Sequence, residues 1–216
     1  MLGDLALAYG EVGEIRHAIE LTKNMLHKAQ QIGDRGAECD ALINLGNFLS
    51  EIGDTSQAIQ YFQKALEVSV KMQDRSKQMR IIGNLGAMYR EIGETEKAIE
   101  LHQQALSLAR EWGDLHSIET WLHNLGMDYS ASGDIQAAIE CYRQCIEISE
   151  RLGSNRKLAS ASWNLGLLLE RQVNLEEAVK FMQRNAEYER SIGHPDAEKH
   201  AAYVERIRAR LSKTQR

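Results

Sequence analysis

The amino-acid sequence predicts an all-α solenoid of about five helix pairs followed by a C-terminal capping helix. Three observations carry this prediction. A period of 40 residues runs along the chain without slippage, and most glycines occupy fixed positions within that period. In addition, only one proline occurs among 216 residues, of which 43% are hydrophobic, so that helices can form throughout and share a continuous core.

The period is visible in columns of residues spaced 40 positions apart. Two columns consist mostly of glycine, and a third is alanine in every repeat. Their members are Gly13, Gly53, Gly93, Gly133 and Val173; Gly33, Gln73, Gly113, Gly153 and Gly193; and Ala18, Ala58, Ala98, Ala138 and Ala178. Each residue of the first two columns is predicted to end one helix just before the next begins, since glycine is favoured at helix C-termini.

Residues that can cap a helix stand directly after these turn positions. Asp54 and Asn174 follow one column, and Asp34 and Asp114 follow the other. Stretches of about 17 residues with apolar side chains at helical spacing lie between the turns. The sequence therefore predicts an array at residues 1–194 and a capping helix and tail at 195–216. The repeats, each a helix pair, are expected at about 1–34, 35–74, 75–114, 115–154 and 155–194.

A further column places small residues inside the first helix of each repeat. Its members are Ala6, Gly46, Gly86, Gly126 and Gly166. Glycine in a helix interior costs about 1 kcal/mol relative to alanine, so its recurrence needs a structural reason. Small residues let the two helices of a pair approach closely. We expect Tyr89 or Tyr129 to fill the space beside them.

The two helices of the repeat each carry a recognisable pattern. The motif Asn-Leu-Gly-x-x-Tyr occupies 84–89 and 124–129 in the first helix. In the second helix the pattern is Ala98 with His102 and Ala105, or Ala58 with Phe62 and Ala65. These residues resemble a tetratricopeptide (TPR) repeat, in a 40-residue form similar to the repeats of LGN/Pins-type adaptors, kinesin light chain and bacterial signalling proteins. The sequence lacks the proline that often ends a TPR repeat. The resemblance implies a right-handed α-solenoid that binds other proteins.

A column of asparagines forms the candidate binding site. Asn44, Asn84, Asn124 and Asn164 each precede Leu-Gly in a first helix, although asparagine is roughly 0.6 kcal/mol worse than alanine there. First helices line the concave groove of TPR proteins, so the resemblance implies that these carboxamides contact the backbone of a bound extended segment. Neighbouring asparagines are expected to reach peptide groups about three residues apart. Alternatively, they hydrogen-bond the adjacent repeat and fix its stacking.

Side chains near the asparagines vary between repeats and are predicted to determine which partner binds. These candidate partner-binding residues are Asn47, Arg80, His123, Met127 and Trp163. The surface is predicted to be polar in repeats two and three and more apolar in repeats four and five. Trp163 is the best single anchor candidate, because accessible aromatic residues dominate binding energy. Packing between helices is the alternative role for Trp163.

Composition argues against several other classes of function. The net charge of −5 argues against nucleic-acid binding, which requires a strongly basic face. No apolar run approaches the roughly 18 residues of a membrane span. No motif for a nucleotide, metal or other cofactor occurs. Three cysteines suit a reducing cytoplasm, and Cys141 and Cys145 are better explained as small buried residues than as metal ligands. His123, four residues after Glu119, has no accompanying nucleophile.

We therefore expect a cytoplasmic scaffold or adaptor, not an enzyme, that uses no cofactor and binds a protein or peptide segment. A regulatory or sensor module of a larger signalling protein is the alternative. The first helix of the first repeat begins only at Met1. That leaves self-association through an uncapped N-terminal repeat as a further prediction.

Overall fold

The computed structural model describes residues 14–214, which contain ten α-helices and no strands. In chain order they are α1 (Ile15–Ile32), α2 (Arg35–Glu51), α3 (Thr55–Lys71), α4 (Arg75–Glu91), α5 (Thr95–Trp112), α6 (Leu115–Ser132), α7 (Ile135–Leu152), α8 (Asn155–Arg171), α9 (Leu175–Ser191) and α10 (Ala197–Thr214).

The helices follow the predicted order of first and second helices. The first helices are α2, α4, α6 and α8, their partners are α3, α5, α7 and α9, and α10 follows the last pair. The chain divides within α5 into two compact units, one up to residue 105 and one from residue 106. Within each unit, helices that follow one another pack together, as an all-α solenoid requires. The first helix predicted for the first repeat, and the self-association assigned to it, lie outside the described residues.

The turn positions keep one backbone conformation whether or not they hold glycine. Gly53 has a φ of 79°, and the non-glycine residues Gln73 and Val173 have φ values of 56° and 62°. Left-handed backbone at this point lets the chain leave one helix and enter the next after a single further residue. The turn geometry is therefore imposed by the repeat rather than by glycine.

The predicted helix caps are confirmed. The side chains of Asp34, Asp54, Asp114 and Asn174 each accept a hydrogen bond from the backbone N–H three residues further on. These bonds satisfy donors that a helix N-terminus otherwise leaves unpaired. Ser154 occupies the same position before α8 but makes no side-chain capping bond.

The glycines inside the first helices accommodate side chains from the partner second helices. A Cβ added at Gly46 would lie 2.6 Å from the Phe62 ring, and one at Gly126 would lie 2.7 Å from the Tyr142 ring. His102 covers Gly86 in the same way, and Met182 covers Gly166. The prediction that Tyr89 or Tyr129 fills this space is wrong. The second-helix residue that faces each glycine already occupies the gap.

The helix α10 completes the apolar core at the end of the second unit. Val204 and Ile207 of α10 are buried against Leu175, Val179 and Met182 of α9. On α10, the Tyr203 hydroxyl donates a 2.7 Å hydrogen bond to Glu170, and Arg210 pairs with the same carboxylate. This helix thereby covers the apolar surface that the last repeat would otherwise expose.

Candidate functional site

The candidate residues lie along seams between successive first helices. Side chains separated by 37 positions meet at these seams, one helical turn short of the repeat length. In the first unit Lys77 Nζ lies 2.5 Å from Asp40 Oδ1. In the second unit Lys157 donates a hydrogen bond to Thr120. The seams therefore combine stacking contacts with an exposed polar surface.

The first unit brings together the predicted residues Asn44, Asn47, Arg80 and Asn84. Both Asn44 and Asn84 are half-buried, whereas Asn47 and Arg80 are exposed. The Asn84 Nδ2 donates a 3.1 Å hydrogen bond to Asn47 Oδ1, so at Asn84 the stacking role is observed. The side chain of Asn44 makes no hydrogen bond to another described residue.

The second unit contains His123, Asn124, Met127, Trp163 and Asn164, all half-buried. The side chains of Asn124 and Asn164 make no hydrogen bond to another described residue. His123 is tied into the seam, because its Nε2 lies 3.1 Å from Ser160 Oγ and its ring meets the Tyr142 ring edge-on.

Trp163 packs against the last helix. Its ring centroid lies 4.2 Å from that of His200 and 5.7 Å from that of Tyr203. Its packing role, one of the two alternatives, is therefore observed. The same side chain also lines an open cavity, so packing does not remove it from the surface.

This cavity of about 510 Å³ lies between α8, α9 and the start of α10. Candidate residues Trp163 and Asn164 form part of its wall. The other lining residues are Arg156, Ala159, Ser160, Asn185, Tyr188, Glu189, Ile192, His194 and His200. The site in the second unit is thus a concave pocket as well as a row of asparagines.

Sequence reasoning missed two polar residues at the base of this cavity. Asn185 stands in a column that holds Met25, Ala65, Ala105 and Cys145, and Glu189 stands in a column of Ala29, Ser69, Ala109 and Ser149. Both are buried, at 7% and 9% exposure. The sequence signal was an amide and a carboxylate in columns that otherwise hold small or apolar residues, which marks the last repeat as different from the others.

The Glu189 carboxylate is held by histidines. Its Oε2 lies 2.6 Å from His200 Nδ1, and its Oε1 lies 4.0 Å from His194 Nδ1. Arg156, at the N-terminal end of α8, contributes an exposed guanidinium to the rim. The cavity therefore contains one carboxylate and one guanidinium.

The half-buried thiol of Cys141 and the buried thiol of Cys145 do not form a reactive centre. Burial raises the pKa of Cys141 to about 11 and that of Cys145 to about 12, so both remain protonated at neutral pH. Glu119, which precedes His123, accepts a 2.5 Å hydrogen bond from Ser149 and forms an ion pair with Lys157 at 3.5 Å. Those contacts engage the carboxylate inside the second unit.

Neither a metal site nor a membrane span is indicated in the part of the chain that the structure describes. Between residues 14 and 214, no group of three or more histidine, cysteine, aspartate or glutamate residues could hold a metal ion. None of the helices in that range is long and apolar enough to cross a membrane.

Solved structures share this architecture at low sequence identity. The TPR-sensor-containing STAND (signal transduction ATPase with numerous domains) protein of Pyrococcus horikoshii has a TM-score of 0.85 and 21% identity over 95% of this chain and 32% of its own. BtubC of P. vanneervenii has a TM-score of 0.69 and 20% identity over 92% of both chains. TPR-like repeats of kinesin-light-chain type from Podosopora anserina have a TM-score of 0.73 and 17% identity over 88% of this chain and 94% of theirs. These identities establish the fold alone.

Family comparison agrees with the architecture. None of the curated proteins matches the chain. The tetratricopeptide repeat model matches three overlapping stretches, residues 38–111, 77–151 and 117–188. Together these matches span more than half of the sequence, and they include four of the first-helix and second-helix pairs that the structure describes. The chain therefore belongs to the tetratricopeptide repeat family.

Proposed function

We propose that this protein is a scaffold or adaptor that binds an extended segment of a partner protein in a concave groove lined by its first helices. TPR repeats are generally protein-interaction modules, which supports this class of function. The observation that carries the proposal is the set of half-buried carboxamides at one position of the first helix. Three of them, Asn44, Asn124 and Asn164, make no hydrogen bond within the described residues.

A carboxamide matches the chemistry of a peptide group. Each asparagine offers both a donor and an acceptor, so it can bind a backbone N–H and C=O whatever side chain the partner residue carries. Discrimination between partners then depends on the neighbouring residues. Arg80 offers an exposed cation in the first unit, and Met127 offers apolar contact in the second.

Selection from a library of random linear peptides tests the proposal. Peptides selected on the folded protein are then measured by fluorescence anisotropy against a variant with Asn44, Asn124 and Asn164 changed to alanine, which leaves the stacking bond of Asn84 in place. If each of the three lost hydrogen bonds weakens binding by about 0.7 kcal/mol, affinity falls roughly 30-fold. Unchanged affinity in a variant with native helical circular dichroism contradicts the proposal.

A matched control changes exposed residues of the second helices. Glu67, Ser107 and Glu147 occupy one exposed column there, away from the asparagines. Their replacement by alanine alters side-chain polarity without touching the first helices. We expect this control variant to bind the selected peptides with unchanged affinity.

A second proposal is that the array is the regulatory or sensor module of a larger signalling protein. It is favoured by the P. horikoshii STAND protein, in which a TPR sensor belongs to a much longer chain. The discovery of a nucleotide-hydrolysing domain encoded in the same reading frame would support this role. Its hydrolysis rate is then expected to change when a selected peptide is added, and an unchanged rate contradicts the sensor role.

A further inference from the structure

The cavity between α8, α9 and α10 has a nearly buried carboxamide in its wall. Asn185 is only 7% exposed, lines the cavity, and makes no side-chain hydrogen bond to another described residue. Its polar atoms are not sealed from solvent, so a guest in the cavity can reach them. The equivalent residues Met25, Ala65, Ala105 and Cys145 all lack an amide, so stacking of the repeats does not require one here.

A second carboxamide with free hydrogen-bonding groups lies on the adjacent helix. Asn164 of α8 lines the same cavity and likewise makes no hydrogen bond within the described residues. Two carboxamides therefore converge on one space, from α8 and from α9. Each can donate and accept, so the pair suits a guest that also carries both functions.

The cavity contains groups of both charge signs. Glu189, which is paired with His200, and Arg156 both line the space, so neither an acidic nor a basic guest is favoured throughout it. The cavity walls include the aromatic side chains of Trp163 and Tyr188, which offer flat faces to a planar group. A neutral, planar, hydrogen-bonding group satisfies all of these conditions.

We propose that the cavity is a specificity pocket for a neutral carboxamide, the side chain of a glutamine or asparagine in the bound segment. This deepens the proposed function and rests on it. The backbone of the segment is bound by the first-helix asparagines, and one carboxamide side chain enters the cavity to meet Asn164 and Asn185. The volume of about 510 Å³ accommodates that side chain together with part of its backbone.

Titration with capped amino acids tests the pocket without any partner segment. The probes are the N-acetyl methylamides of glutamine, glutamate, lysine and norleucine. Binding is followed by the indole N–H resonance of Trp163 in ¹H–¹⁵N spectra, identified with Trp163→Phe. We expect saturable binding of the glutamine probe and at least about tenfold weaker binding of the other three, because a site built for hydrogen bonds rejects analogues that cannot reproduce them.

Two variants separate recognition from folding. Asn185→Ala installs the residue that the second and third repeats hold at this position, and we expect it to remove binding of the glutamine probe with no loss of thermal stability. A purely structural Asn185 predicts a lower melting temperature instead. Gln183→Ala, at an exposed position of the same helix outside the cavity lining, is the control and is expected to bind normally.

The outcomes distinguish this pocket from the wider function. Equal binding of the glutamate or lysine probe, no saturable binding of the glutamine probe, or normal binding by Asn185→Ala overturns the pocket proposal. If selected peptides still bind through the asparagines in that case, the proposed function stands alone. If the glutamine probe binds but no linear peptide can be selected, the proposed function fails while the carboxamide site remains.

Discussion

At the scale of single residues, Val173 shows most directly how the repeat constrains its sequence. It adopts a φ of 62° at a turn position that is glycine in four of the five repeats. Left-handed backbone is unfavourable for β-branched side chains, because the branched Cβ crowds the neighbouring carbonyl group. The side chain is 71% exposed, so packing offsets little of that strain.

Replacement of this valine should therefore stabilise the protein. We expect Val173→Gly to raise the free energy of unfolding by about 0.5–1 kcal/mol, after the entropic cost of glycine in the unfolded chain is subtracted. Urea unfolding monitored by circular dichroism measures the difference. The control Val173→Ala retains a Cβ at the same backbone angles and should gain less. A destabilised glycine variant would show that the turn is not strained.

Two glycines of α2 should respond to alanine in opposite directions. At Gly46 a Cβ would lie 2.6 Å from the Phe62 ring, so Gly46→Ala is expected to destabilise the protein by about 1–3 kcal/mol through overpacking. At Gly36 the nearest atom is 3.4 Å away, which is ordinary contact, and Gly36→Ala should stabilise by about 0.5 kcal/mol. The urea unfolding midpoints of both variants measure this difference in stability. Equal changes in the two midpoints would rule out the contact with the Phe62 ring as the cause of the Gly46→Ala destabilisation.

At the scale of the helix, some of the described N-cap residues make a side-chain hydrogen bond and others, such as Glu14 and Ser154, do not. Asp114 accepts bonds from the Ser117 backbone N–H at 3.2 Å and from its hydroxyl at 2.6 Å, whereas Ser154 makes no capping bond. The hydrogen bond from the Ser117 hydroxyl lowers the pKa of Asp114. Its charged form is therefore stabilised in the folded protein.

The two caps should differ on mutation and in their dependence on pH. We expect Asp114→Ala to cost about 1 kcal/mol at pH 7 and Ser154→Ala to cost much less. Because the pKa of Asp114 is lower in the folded state, its stabilising contribution is complete above the unfolded pKa of about 3.9 and is lost as pH falls further. Urea unfolding at pH 7 and at pH 3 measures this. If Asp114→Ala lowers the free energy of unfolding by the same amount at both pH values, the ionised carboxylate of Asp114 is not the source of the stabilisation.

Helices and their boundaries were the most predictable part of the structure. Turn position, capping residue and apolar spacing are local signals, and each recurs every 40 residues. Contacts between helices were less predictable. The ring of Phe62 over Gly46 and the pairing of Asn84 with Asn47 depend on side-chain direction across a helix interface, which no column of single residues specifies.

At the scale of the whole molecule, each helix is stabilised mainly by its neighbours along the chain, as in other repeat proteins. Removal of α10 should therefore have a local effect. In a chain ending at His194, the core residues Leu175, Val179 and Met182 lose their cover from Val204 and Ile207. We expect amide hydrogen exchange in α9 to accelerate at least about tenfold, while α2 and α3 keep their protection.

Mass spectrometry of exchanged peptides resolves these segments separately. The substitution Arg206→Ala in the full-length chain is the control, since this residue is exposed and its loss leaves the apolar contacts of α10 in place. Acceleration throughout both units in the shortened chain would contradict nearest-neighbour stability.

The candidate site divides in the same way between what was predictable and what was not. The asparagine column was visible because asparagine is unfavourable in a helix and its recurrence called for an explanation. The cavity was not visible, because it needs α10 to turn back beside α8 and place His200 next to Trp163 and Glu189. The sequence of a helix does not show which other helix will pack beside it and enclose a pocket.

The sequence by itself determined the repeat length, the turns, the caps and the family, since all of these follow from short-range preferences repeated along the chain. Only the tertiary structure decided that Asn84 is engaged in stacking, while Asn44, Asn124 and Asn164 make no side-chain hydrogen bond within residues 14–214. It also decided that Asn185 lines a cavity without a hydrogen-bond partner among those residues. The physical reason is that hydrogen-bond partners and enclosed spaces arise between helices far apart in sequence.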